Sequence, residues 1–146
     1  MRKTLFLLII ILTAVFYACD NIEYATDGNL YGYWHLVSVD TMATQQTTDM
    51  SRQRIFWSVE SRLVEMCDRD GNSLPVVCEF EKKGDSLFFH TPFFSNRSEG
   101  DILVEDVMAL APYGLSSLEP KMRVEKLSSG RLIITTPQLR LKFKKL

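Results

Sequence analysis

The chain has 146 residues, with 17 Lys and Arg against 18 Asp and Glu, a net charge of −1. That length is one domain's worth, enough to bury a single core. The near balance of charge gives nucleic acid no footing as a partner.

The N-terminus opens with Met1-Arg2-Lys3, followed by an apolar run from Leu5 to Ala18 broken only by Thr13, and turns polar at Asp20-Asn21. A basic start, an apolar stretch and a small residue before the break make a bacterial export signal. The run is shorter than the ~20 apolar residues of a membrane span. Cys19 directly follows Ala18, which looks like a lipobox: signal peptidase II cuts before the cysteine and the thiol carries diacylglycerol. An uncleaved anchor, or a secreted chain with a chance cysteine, are the alternatives. On the lipobox reading, residues 1–18 are the signal peptide, 19–30 the lipidated cysteine and a tether, and 31–146 the folded body, anchored at the outer membrane. Without Arg2 and Lys3 the charge is near −3 and uneven. Residues 20–120 hold seven basic and seventeen acidic side chains, whereas 121–146 hold eight basic and one acidic. The late cations alternate with Val124, Leu132, Ile134, Leu139, Leu141 and Phe143, as on the wet face of half-buried strands.

From Tyr31 onward the pattern is strand after strand. Residues 33–40, 54–60 and 62–68 are rich in aromatic and β-branched side chains, and Asp70-Gly71-Asn72-Ser73 is a turn. Strands follow at 76–82 and 86–91 around Lys83-Gly84-Asp85, and then at 122–127, 131–136 and 139–145, divided by Ser128-Ser129-Gly130 and Pro137. Eight short strands in hairpin succession predict an all-β sandwich or up-and-down barrel.

Two connections are long, 41–52 and 92–120. In the second, acids at Asp101, Glu105 and Asp106 precede Val107-Met108-Ala109-Leu110, which predicts a short helix over 101–110 ended by Pro112. An insertion of this length between strands suggests a lid or a plug, with Met108, Leu110 and Tyr113 as its contact residues.

Gly32-Tyr33-Trp34 opens the first strand and resembles the Gly-x-Trp signature of lipocalins. The stretch from Leu30 to Leu146 is similar to small lipocalin-like lipoproteins of Bacteroidetes. Matching segments include Gln53-Arg54-Ile55-Phe56-Trp57, Leu110-Ala111-Pro112-Tyr113-Gly114 and Leu139-Arg140-Leu141-Lys142-Phe143. The resemblance implies an eight-stranded antiparallel barrel with one short helix in a long connection. It also implies a basic residue from the last strand set over the motif tryptophan. Arg140 is the candidate, although it lies on the face opposite Leu139, Leu141 and Phe143.

Catalytic chemistry finds little to stand on. His35 and His90 are isolated within strands, and neither a nucleophile elbow nor a phosphate loop is present. Asp68, Asp70, Asn72 and Glu79 fall at calcium-loop positions, but Ser73 stands where the loop's glycine belongs and strands flank it instead of helices. No catalytic residue, metal site or cofactor is expected. Cys67 and Cys78 straddle the Asp70–Ser73 turn. With a four-residue loop they would face each other at disulfide distance, and a loop one residue different would put them on opposite faces.

The expectation is a non-enzymatic barrel whose interior is lined by Trp34, Leu36, Trp57, Val59, Phe80, Leu87, Phe89, Val124, Ile134, Leu141 and Phe143. Those side chains either form a cup for a small apolar ligand or fill the core. In the second case the long loops would dock an envelope partner.

Overall fold

A computed structural model describes residues 28–146 apart from 97 and 99. The expected signal peptide, Cys19 and most of the tether lie outside the described residues. The strands are β1 (Gly32–Thr41), β2 (Thr47–Asp49), β3 (Ile55–Glu60), β4 (Leu63–Asp68), β5 (Val76–Lys83), β6 (Ser86–Phe94), β7 (Ile102–Leu103), β8 (Lys121–Leu127), β9 (Arg131–Thr135) and β10 (Leu139–Lys145), with a 3-10 helix at Val107–Tyr113.

Eight of these strands form a closed antiparallel barrel in the order β1-β3-β4-β5-β6-β8-β9-β10, and β10 pairs back onto β1. Closure spans the length of β1: Trp34 pairs with Lys145, Leu36 with Phe143 and Thr41 with Leu139. The eight predicted strands are these eight, found at nearly the predicted positions because most of them alternate. In β3, Ile55, Trp57 and Val59 are buried while Glu60 is exposed; in β10, Leu141 and Phe143 are buried between Arg140, Lys142 and Lys144. The short strands β2 and β7 are additions within the two long connections. β2 runs beside the second half of β1, and β7 beside the end of β6.

β6 changes partner along its length. Ser86–Phe88 pair with β8 and Phe93–Phe94 with β7. Between them Thr91 takes a left-handed backbone, φ 49°. Pro92 then accepts at its carbonyl from Val104 N–H at 2.9 Å, but it has no N–H to return, so the β7 ladder stops. A surface groove lined by Thr91, Pro92, Leu103, Val104 and residues 117–119 marks this parting.

The core runs the full height of the barrel, and Trp34 is wholly buried in it. Its indole N–H donates to the Leu30 carbonyl at 2.7 Å. Leu30, assigned by sequence to the tether, is itself buried and so belongs to the folded body. Trp34→Ala should cost about 3–5 kcal/mol, as large aromatic truncations in cores do. An unchanged midpoint in urea unfolding would contradict this role.

Candidate functional site

The two ends of the barrel are built differently. At one end, β1 enters through Gly32, whose φ of +127° suits glycine. A Cβ there would come within 2.6 Å of Lys145 Cε. The absent side chain lets the lysine stem lie along the strand, with Nζ 5.0 Å from the Trp34 ring centroid and 3.1 Å from the Asn29 carbonyl, to which it donates. A cation over an indole face contributes roughly 0.5–2 kcal/mol. The residue set over the motif tryptophan is therefore Lys145, correcting the expectation of Arg140. Arg140 points outward and pairs with Glu125, because it has the wrong parity in β10. Lys145 shares the inward parity of Leu141 and Phe143.

A glycine that admits a lysine across a buried tryptophan marks the point where the last strand closes on the first, and a family model that matches most of the chain decides the family. The chain belongs to the lipocalin-like domain family. The family match spans residues 12–146. Among solved structures, it is similar to a lipocalin-like protein from Bacteroides uniformis ATCC 8492, at 18% identity over 82% of this chain and 100% of that one, with a TM-score of 0.61. An uncharacterized protein from Bacteroides eggerthii DSM 20697 shares 18% identity over 80% of this chain and 98% of that one, TM-score 0.55. A protein from Burkholderia xenovorans shares 11% identity, covering 82% and 86%, TM-score 0.54. At these identities the likeness is one of fold. No curated protein matches the chain.

All eleven expected lining residues of this lipocalin-like barrel pack into its interior. Nine are almost wholly buried; Phe80 and Val124 are partly buried against the same core. They fill it. Trp57 sits at the centre with its ring 4.8 Å from Phe143 and 5.6 Å from Phe89, and Leu30, Val64 and Leu132 close around them. The remaining apolar void is about 10 Å³, room for about one water. Trp57 Nε1 is buried without an acceptor, the one lining side chain whose polar atom is unsatisfied.

The opposite end is stopped by the 3-10 helix. The predicted helix over 101–110 begins later than expected. Asp106 caps it, accepting from Met108 N–H at 2.9 Å, and Ile102–Leu103 are strand. Pro112 is inside the helix, and Gly114 ends it at φ 83°. A Cβ on Gly114 would meet Leu141 Cδ2 at 2.6 Å. Leu110 and Tyr113 are fully buried, whereas Met108 is 67% exposed, so Met108 is not an inward contact. The Tyr113 hydroxyl donates to the Leu74 carbonyl at 2.7 Å, tying the helix to the loop between β4 and β5.

That loop also undoes the disulfide geometry. It runs from 69 to 75 and sets Cys78 opposite Val64, while Cys67 lies opposite Phe56 on β3. Cys67 and Cys78 fall on opposite faces as free thiols, both buried. Cys78 joins the core, and burial pushes its thiol up to about 12. Cys67 is covered from outside by Tyr33, whose hydroxyl lies 3.6 Å from its sulfur and accepts from Arg69 at 3.0 Å. No cluster of metal-ligating side chains occurs among the described residues.

Burial, aided by the Asp68 carboxylate, pushes the Tyr113 phenol up to about 12 from an ordinary 10.0. A pKa raised on folding contributes stability that is full below the unfolded value and is lost as pH climbs through the folded one. The barrel should therefore lose stability between pH 10 and 12. Tyr113→Phe should cost about 1 kcal/mol at neutral pH by deleting the bond to Leu74, and should flatten the alkaline loss. Urea unfolding across that pH range reads both effects; an equally steep alkaline loss in the variant would contradict them.

Proposed function

We propose that this chain is a lipid-anchored lipoprotein of the bacterial envelope. Diacylated Cys19 holds it at the outer membrane, and its barrel is a solid docking module. The observation that carries this reading is the filled interior. A void of about 10 Å³ stands against the ~300–1,000 Å³ of small-molecule sites.

Apolar surface is instead offered outside, at the end remote from the Gly32 entry of β1. Leu74, Ile102, Leu103 and Met108 are each at least half exposed. They belong to adjoining elements. Tyr113 bonds Leu74, Ser95 N–H bonds the Pro75 carbonyl, and Phe94 pairs with Ile102. Residues 101–120 contain four acids and no Lys or Arg. An apolar patch with an acidic rim fits an envelope protein whose matching surface is apolar and basic. With the anchor at the other end, this patch faces away from the membrane.

One observation favours a second reading. The unsatisfied Trp57 Nε1 would be answered by an apolar ligand carrying a single hydrogen-bond acceptor, provided that Leu87 and Phe89 rearrange to admit it.

Native mass spectrometry of the purified chain distinguishes the two. The solid module should carry no retained small molecule, and a stoichiometric apolar ligand would overturn it. Leu103→Asp and Met108→Asp, both at exposed positions, should change stability by less than about 0.5 kcal/mol. They should abolish in-cell photocrosslinking from Ile102 to one discrete partner with an apolar, basic surface. No crosslink from Ile102, or one that survives both substitutions, would refute docking at this end.

A further inference from the structure

The outer face of β8, β9 and β10 carries the late cations, and several are paired. Arg140 meets Glu125, Lys142 meets Asp40 at 2.7 Å, and Arg123 meets Asp85 at 2.8 Å. Lys126, Arg131 and Lys144 are exposed and have no ion-pair partner among the described residues. Two of them conflict with each other. Lys144 lies directly opposite Arg131 in the β9–β10 ladder, and like charges in directly opposed cross-strand positions repel. Lys126 continues the cluster one strand away, opposite Ile133. The fold thus holds three cations without an ion-pair partner among the described residues, spread over the outer faces of three adjacent strands. An extended anionic surface fits this arrangement.

The position of the cluster within the barrel points to which surface. Lys145 donates from Nζ to the Asn29 carbonyl and from its backbone N–H to the Gly130 carbonyl, both at 3.1 Å. The first described residues, the turn before Arg131 and the end of β10 therefore meet at one end of the barrel. Nine peptide steps separate Cys19 from Gly28, at most about 32 Å of chain. A lipid on Cys19 holds this end near the bilayer.

We propose that Lys126, Arg131 and Lys144 dock the barrel onto anionic lipid headgroups, fixing its orientation on the membrane that anchors it. The proposal rests on the lipid-anchor reading for its geometry. The cations reduce their mutual repulsion against the negative surface, and the apolar patch at the remote end is turned outward.

The test uses the full, processed chain reconstituted into vesicles of phosphatidylcholine alone, or with about 30 mol % phosphatidylglycerol. A water-soluble amine reagent then reports lysine exposure by mass spectrometry. Lys126 and Lys144 should label about fivefold less on the anionic vesicles, the scale expected for a basic side chain at a charged surface. About 0.5 M NaCl should restore labelling, because it shortens the screening length to a few ångströms. Lys83, on β5 and paired with Glu81, lies outside the three strands that carry the cluster and should label equally on both. Arg131→Glu, at an exposed position, should remove most of the protection at its neighbours.

Equal labelling on neutral and anionic vesicles would overturn the proposal. So would equal protection by heparin without vesicles, which would assign the face to a soluble polyanion. Failure of the chain to associate with neutral vesicles would refute the anchor separately. Sedimentation with anionic vesicles then decides the patch: salt-sensitive binding supports headgroup docking, and no binding overturns it.

Discussion

The structure depends on a single closure, the pairing of β10 with β1. Every strand of an open sheet has two neighbours except the edges, and an exposed edge presents unpaired backbone groups. Joining the last strand to the first removes both edges of the barrel. The ladder from Trp34–Lys145 to Thr41–Leu139 also sets the parity of β10 against β1. That parity turns Leu141 and Phe143 inward beside Leu36, and it brings Lys145 to the indole. Gly32 is the sequence's concession to this contact, since a side chain there would meet the lysine stem. The asymmetry of the barrel follows: one end is stitched by the first described residues, the end of β10 and a cation on tryptophan, the other by a short helix carrying a buried phenol.

Closure also limits the interior. Eight strands leave room for side chains or for one small ligand, and the choice lies in side-chain size. Here one tryptophan and two phenylalanines meet in the middle. Trp57 lies against Phe89 and Phe143, and a filled middle shifts the capacity for recognition to the outside. The outside divides by charge much as the sequence does, with acids around the helix and β7 and free cations on the last three strands. The two surfaces lie toward opposite ends of one rigid body, an arrangement suited to bridging a membrane and a second protein.

Much of this was legible in the sequence because alternation is a local signal. The eight barrel strands, and the packing of those eleven side chains into the core, follow from parity and composition. Failures arose where an odd offset flips which face a residue takes, or where a cap was read as helix. The Cys67–Cys78 pairing assumed a four-residue loop, whereas the loop runs from 69 to 75 and the register sets Cys78 against Val64. Arg140 was taken from its motif segment, although counting parity from Leu141 and Phe143 would have selected Lys145. The helix was placed from its acids, but Asp106 acts as a cap and not as a first-turn residue, so the helix starts at Val107 and Ile102–Leu103 are strand instead. β2 and β7 had no detectable signal, being short and exposed strands whose pairing is dictated by neighbours distant in sequence.

The change of partner along β6 has a mechanical consequence. Around the ring the β6–β8 ladder has the shortest register, Ser86–Phe88 with Lys121–Arg123, extended by Phe89 N–H to the Pro120 carbonyl and Val124 N–H to the Asp85 carbonyl, after which Thr91 and Pro92 lead the strand away. A hoop under strain opens at its weakest weld. Leu87 and Phe89, which border the small void beside Trp57, lie on that strand. The shortest seam of the wall therefore lies on the strand that covers the unsatisfied Trp57 indole.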